Sequence, residues 1–218
     1  MTGFPQRLLE GYRTFTSQRL PTEQSRYREL SERGQSPEVM VIGCCDSRVS
    51  PEVIFDAGPG ELFVMRNIAN LVPVYQPDSG THGVSAALEY AVTVLRVKHI
   101  VVLGHAQCGG IRAFIDKIEP LSPGDFIGKW MAMFIKPGET VSQRDHETMA
   151  DFTVRIEKAT VFRSLENLMT FPFVRALAER GELRLHGAYF GVKEGSLFVL
   201  DQVAKEFRSV REEARTSS

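Results

Sequence analysis

The chain carries two short, β-branched apolar runs that each stop at a glycine and then at residues suited to chemistry. The first is Val39-Met-Val-Ile-Gly-Cys-Cys-Asp-Ser-Arg48. The second is His99-Ile-Val-Val-Leu-Gly-His-Ala-Gln-Cys-Gly-Gly110. Runs this short and this rich in valine and isoleucine read as buried strands. In an open parallel sheet, ligands bind beyond the carboxyl ends of the strands. Two such strands, side by side, would bring Cys44 or Cys45 together with His105 and Cys108 at one sheet edge.

The rest of the pattern fits an α/β fold. The order strand, helix, strand, helix, strand predicts a mainly parallel sheet with right-handed crossovers. Four parallel strands and one antiparallel edge strand are expected, flanked by helices and preceded by a helical arm. Strands are expected at 38–43, 61–66, 98–104, 183–192 and 196–200, the last two joined through Lys193-Glu194-Gly195 as a hairpin. Helices are expected over 4–33, with a second one beginning after Pro21 and stopping at Gly34, and over 51–55, 81–95, 109–118, 126–135 and 145–180, broken near Pro172. A polar helix is expected over 202–213. The chain reads as one domain, with an arm at 1–33, a core at 34–118 and a helical segment, hairpin and helix at 119–218.

Charge narrows the function. The 26 basic and 27 acidic residues nearly cancel, so nothing points to nucleic acid or an anionic membrane as partner. No signal-peptide core is visible at the N-terminus and no run reaches the ~18 apolar residues of a membrane span. Three cysteines, two of them adjacent, cannot build a disulfide framework. The expectation is a cytoplasmic protein with reduced thiols.

Thiolate and imidazole suit zinc, and three protein ligands leave one tetrahedral position open for water or substrate. Neighbours on extended chain point opposite ways, so only one of Cys44 and Cys45 faces the metal; spacing alone does not choose. Arg48 stands two residues after Asp46 and can grip its carboxylate bidentately. That grip keeps the carboxylate from becoming a fourth ligand. A phosphatase loop of the Cys-x5-Arg kind is absent, and Gly104–Gly110 lacks a P-loop lysine.

At these residues the chain resembles the β-class carbonic anhydrases. Their Cys-x-Asp-Ser-Arg stands here as Cys44-Cys-Asp-Ser-Arg48, and their His-x-x-Cys-Gly-Gly as His105-Ala-Gln-Cys108-Gly-Gly. The likeness runs on through Gly60–Asn70 and Ala86–Val92. It implies zinc held by Cys44, His105 and Cys108, one ion per chain. It implies reversible hydration of carbon dioxide to bicarbonate, by attack of a zinc-bound hydroxide oriented by the Asp46–Arg48 dyad. The family's plant-type pocket maps onto Gln35, Phe63, Ile68 and Tyr90, beside Gly109, with part of the pocket supplied by a dimer partner. A homodimer or a dimer of dimers is therefore implied.

The resemblance is to the plant-like, non-allosteric subtype. Of the Trp, Arg and Tyr that build an inhibitory bicarbonate site in some bacterial members, only Arg66 is present; Val41 and Phe190 stand at the other two positions. The plant-type proton-shuttle histidine is replaced by Val94, and His82, His99, His146 and His186 cannot be assigned to that task from sequence. Two alternatives share these motifs: a hydrolase of carbon disulfide or carbonyl sulfide on the same scaffold, and a non-catalytic zinc-binding regulator.

Overall fold

The computed structural model describes residues 3–78, 80–136 and 138–211. The chain divides into compact units, Met1–Ser36 and Pro37–Ser218.

In the first unit, α1 (Gln6–Thr14) continues through a π-helical turn (Phe15–Arg19) into α2 (Leu20–Arg33). Pro21 lies in the first turn of α2, where its missing N–H costs nothing. Gly34, at φ +77°, ends the helix by giving its N–H to the Leu30 carbonyl at 3.0 Å. Phe15 packs edge-on against Tyr27, but no residue described here is buried within the unit.

The second unit is a six-stranded sheet. Its strands are β1 (Val39–Cys44), β2 (Leu62–Asn67), β3 (His99–His105), β4 (Arg184–Gly191), β5 (Ser196–Asp201) and β6 (Glu206–Ser209), in the spatial order β2-β1-β3-β4-β5-β6. The first four in that order run parallel; β5 and β6 are antiparallel. The sheet therefore has one antiparallel strand more than the sequence predicted. The register pairs Gly43 with Leu103 and Cys44 with Asn67, so the carboxyl ends of β1, β2 and β3 finish level.

Strand β6 corrects the expected helix over 202–213. Its side chains alternate, Glu206 and Arg208 outward and Phe207 inward, which is a two-residue period. Phe207 packs edge-on against Phe162 and Tyr189. Asp201 starts the preceding turn by accepting the N–H groups of Val203 and Ala204, both at 2.9 Å, and Lys205 closes it at φ +59°. Residues 212 and 213 lie outside the described residues.

The remaining helices are α3 (Pro51–Ile54), α4 (Gly83–Glu89, extended by a π-helical turn to Leu95), α5 (Gly109–Ile115), α6 (Phe126–Ala132), α7 (Met149–Leu168) and α8 (Pro172–Glu179). One sheet face buries Met40, Ile42, Ile100 and Val102 against Leu88, Val92, Val161, Leu168 and Val174. Each such side chain contributes about 1.5–3 kcal/mol by leaving water. The other face carries Val41, Leu103 and Ala188. Helix α7 lies close on β3 and β4, and glycines make this possible. A Cβ on Gly104 would sit 2.7 Å from a Val161 methyl, and one on Gly187 would sit 2.9 Å from the other.

Candidate metal centre

Cys44 ends β1, His105 ends β3, and Cys108 sits just before α5. All three are buried, and their ligand atoms lie within 4.8 Å of one another. The two sulfurs are 4.0 Å apart. Two zinc–sulfur bonds of ~2.3 Å at a tetrahedral angle would place them about 3.8 Å apart, so the pair fits one ion. His105 gives the clearest sign. Its Nδ1 is paired with the Ala106 carbonyl at 2.9 Å, while Nε2 is buried and has no hydrogen-bond partner. A buried polar nitrogen without a partner is costly unless something else binds it. Cys45, one residue beyond the strand, is exposed, and its N–H goes to the Asn67 carbonyl at 2.8 Å. The fold thus makes the choice between the two cysteines that spacing left open.

Without a metal, the two sulfurs are close enough for one thiol to donate to the other. The Cys108 hydrogen bond, opposed by burial and aided by His105, lowers the Cys44 pKa to about 4. The same bond and burial push the Cys108 thiol up. Burial pulls His105 down, but the Cys44 sulfur outweighs it and the net shift is upward. The Ala69 N–H also points at the Cys44 sulfur, at 3.4 Å.

Asp46 and Arg48 form a fork. Nε of Arg48 donates to Oδ1 at 2.9 Å and Nη2 to Oδ2 at 2.7 Å, while the Arg48 N–H adds a third bond to Oδ1 at 3.0 Å. This holds the Asp46 carboxyl well below the usual carboxylate range. Nη2 also donates to the Gln107 carbonyl at 2.9 Å, tying the fork to the second motif. Arg66 is committed to backbone: it donates to the carbonyls of Cys44 at 2.8 Å and Asp46 at 2.7 Å.

The pocket candidates are partly assembled. Phe63 on β2 and Tyr90 after α4 have ring centroids 6.0 Å apart. Ile68 follows β2 in a turn where Ala69 and Asn70 take left-handed backbone, at φ +62° and +50°. That turn is clamped from three sides. Trp130 Nε1 donates to the Ile68 carbonyl at 2.8 Å, and the Asn67 side chain bridges to both backbone groups of Leu71. From α7, Ser164 donates to the Asn70 carbonyl at 2.9 Å and Asn167 to the Val72 carbonyl at 2.7 Å. Ile68 and Tyr90 are 38% and 45% exposed in the single chain, so this apolar wall has an open side. Gly109 opens α5, and a Cβ there would meet nothing within 4 Å. Gln35 belongs to the Met1–Ser36 unit and is exposed.

Other histidines are engaged elsewhere. His82 pairs with Asp78 at 2.7 Å, and His99 with His186 at 3.1 Å near the opposite ends of their strands. His146 is exposed, and so is Val94.

Glu157 was missed by the reading of motifs. It is buried on α7, where it accepts the Cys108 N–H at 3.0 Å and the Tyr189 hydroxyl at 2.6 Å. Burial pushes its carboxyl up against those two bonds. A signal was present in the sequence. Glu157, Thr160, Ser164 and Asn167 recur at helical spacing beside Ile156, Val161 and Leu168, so a polar seam lies on the apolar face of α7.

A profile of the carbonic anhydrase family matches residues 39–197. A carbonic anhydrase of Pseudomonas aeruginosa is 36% identical over 205 residues, covering 94% of this chain and 91% of that protein. Among solved structures, the β-carbonic anhydrase CcaA superposes with a TM-score of 0.83 at 28% identity, covering 94% of this chain and 91% of its own. One of two β-carbonic anhydrases of Sordaria macrospora, described as tetrameric, gives 0.72 at 29%, covering 89% of this chain and 95% of its own. The fold and the cluster of two thiols and an imidazole are those of a β-class carbonic anhydrase, and this chain belongs to that family. It is accordingly an enzyme of the carbonate dehydratase class, which interconverts carbon dioxide and bicarbonate.

Proposed function

We propose that the chain hydrates carbon dioxide with one zinc ion held by Cys44, His105 and Cys108. The observation that carries this reading is the buried, unpartnered Nε2 of His105 facing two thiols within 4.8 Å. Zinc bound there supplies the Lewis acidity that lets water lose a proton near neutral pH. The chain's own residues do the rest. Asp46 has three of its lone pairs occupied by Arg48, two on Oδ1 and one on Oδ2. The remaining pair on Oδ2 accepts a hydrogen bond from the attacking oxygen and fixes its orientation. Arg48 keeps the carboxylate from closing the fourth metal position. Phe63, Ile68 and Tyr90 give the linear apolar substrate a small apolar wall, with Gly109 leaving room beside Cys108.

The pocket is completed by a second copy, whose Gln35 donates a hydrogen bond to a substrate oxygen. The exposed sides of Ile68 and Tyr90 support this, as does the tetrameric state given for the Sordaria macrospora enzymes. Asp46 held on Arg48, and Val41 and Phe190 in place of Trp and Tyr, support the plant-like, non-allosteric subtype.

Stopped-flow hydration of carbon dioxide, with metal analysis on the same sample, tests the reading. One zinc per chain with a rate far above buffer is the expected result. Stoichiometric zinc without hydration would reject it in favour of a metal-holding role. Sulfide release from carbonyl sulfide with no hydration of carbon dioxide would reject the substrate.

A further inference from the structure

The Gln107–Cys108 peptide is bonded at both edges. Its carbonyl accepts Nη2 of Arg48 at 2.9 Å, and its N–H donates to Oε1 of Glu157 at 3.0 Å. A guanidinium at the oxygen end and a carboxyl oxygen at the N–H end both match the peptide dipole. Turning the peptide over would lose both bonds together. The conformation needs such help, because Gln107 is a non-glycine residue at φ +58°.

We infer that Glu157 is a positioning residue for the Asp46–Arg48 fork: it fixes the Gln107–Cys108 peptide so that the Gln107 carbonyl anchors Arg48, which in turn keeps Asp46 off the metal. The inference rests on the zinc reading above. Three further features set Glu157 for this task. It is 1% exposed, so its carboxyl has no solvent to turn toward. Tyr189, itself buried on β4, donates to Oε2 at 2.6 Å and leaves Oε1 directed at the loop. Gly104 and Gly187 admit Val161, one turn on from Glu157, and so bring α7 within reach of the loop. The role requires an acceptor oxygen at the Cys108 N–H and does not require a charge, so glutamine should replace glutamate and methionine should not.

The test uses full-length E157M and E157Q. It reads metal content, carbon dioxide hydration, and azide binding to the cobalt-substituted protein as a probe of the open metal position. E157M should keep one metal per chain, lose more than tenfold in turnover and bind azide more than tenfold more weakly, because Asp46 now fills the position. E157Q should stay within threefold of the parent in all three. D46N in the E157M background should restore azide affinity, which general damage to the fold would not allow. Parent-like azide binding by E157M would overturn the inference. Loss of the metal from E157M would also overturn it, since Glu157 would then be holding Cys108 as a ligand and not the fork. If E157M does not fold, E157L decides by the same assays: it also removes the acceptor at the Cys108 N–H, and unchanged azide affinity and turnover would overturn the inference. A parent protein that binds no metal, or hydrates no carbon dioxide when loaded, would instead reject the zinc reading itself.

Discussion

Gly110→Ala should damage the substrate pocket while sparing both fold and metal. A Cβ built on Gly110 lies 2.5 Å from Cγ2 of Ile68, and 3.6 Å from Ala69 Cβ and Met131 Sδ. Carbon atoms rest at about 3.5–4.0 Å, so one group must retreat by about 1 Å. Met131 is buried behind, so the helix cannot easily withdraw. Ile68 is the softer partner because its outer side is open. It is β-branched, however, and cannot swing Cγ2 away without leaving its rotamer. Overpacking of this kind costs about 1–3 kcal/mol. Alanine in a helix recovers up to about 1 kcal/mol relative to glycine. The net change in stability should be about 0–3 kcal/mol, or less than about 12 °C in melting temperature for a chain of this size. The effect on chemistry should be larger, since a displacement of about 1 Å in a positioning group can cost on the order of 100-fold. We expect kcat/KM for carbon dioxide hydration to fall about 10–100-fold with zinc retained, measured by stopped flow, metal analysis and thermal melting. Ile68→Ala in the same chain should remove most of the added loss, because it deletes the clashing methyl. A G110A protein within twofold of the parent, or one that has lost its zinc, would refute the reasoning.

His105→Ala or Cys108→Ser should lose zinc together with activity, as two remaining ligands cannot hold the ion at ordinary affinity; metal analysis after dialysis checks this. Arg48→Ala should retain zinc and lose activity, with Asp46 moved onto the metal; a crystal structure with Asp46 unmoved would contradict the account. In metal-free protein, Cys44 has a pKa lowered from 9.0 to about 4, so its thiolate, and the stability it contributes, is fully present above pH 9 and is lost as pH falls through about 4. Absorbance at 240 nm should therefore report one thiolate per chain at pH 7 in the metal-free form, and Cys44→Ser should abolish it. For the zinc enzyme, two thiolates leave the site formally neutral, which activates water less than three neutral histidines do. Hydration should then rise with pH through an apparent pKa above ~7.5. Asp46, held down by the Arg48 hydrogen bonds, stays ionised across that range and cannot be the group titrating. A rate already level by pH 6.5 would contradict this.

The strands that carry Cys44 and His105 were legible because they are local objects. Val39–Ile42 and His99–Leu103 are short runs rich in β-branched residues and ended by glycine, which favours strand over helix. Cys-x-Asp-Ser-Arg and His-x-x-Cys-Gly-Gly are contiguous as well, so the candidate ligand types and the Asp46–Arg48 fork could be read directly. Strand β6 was not legible, since Glu206–Ser209 is polar and only pairing with β5 and the aromatic contacts of Phe207 favour extension over helix. Tertiary structure alone decided three matters at the site. It turned Cys44 inward and Cys45 outward, because strand register and not composition selects the face. It joined the two motifs through the Gln107 carbonyl, a bond between residues 59 positions apart. And it delivered Glu157 from α7 to the Cys108 N–H, because Gly104 and Gly187 allow a helix to lie that close to the sheet. Sequence fixes which groups are available, but a hydrogen bond forms only where packing brings donor and acceptor within about 3 Å, and that distance is set by the whole fold.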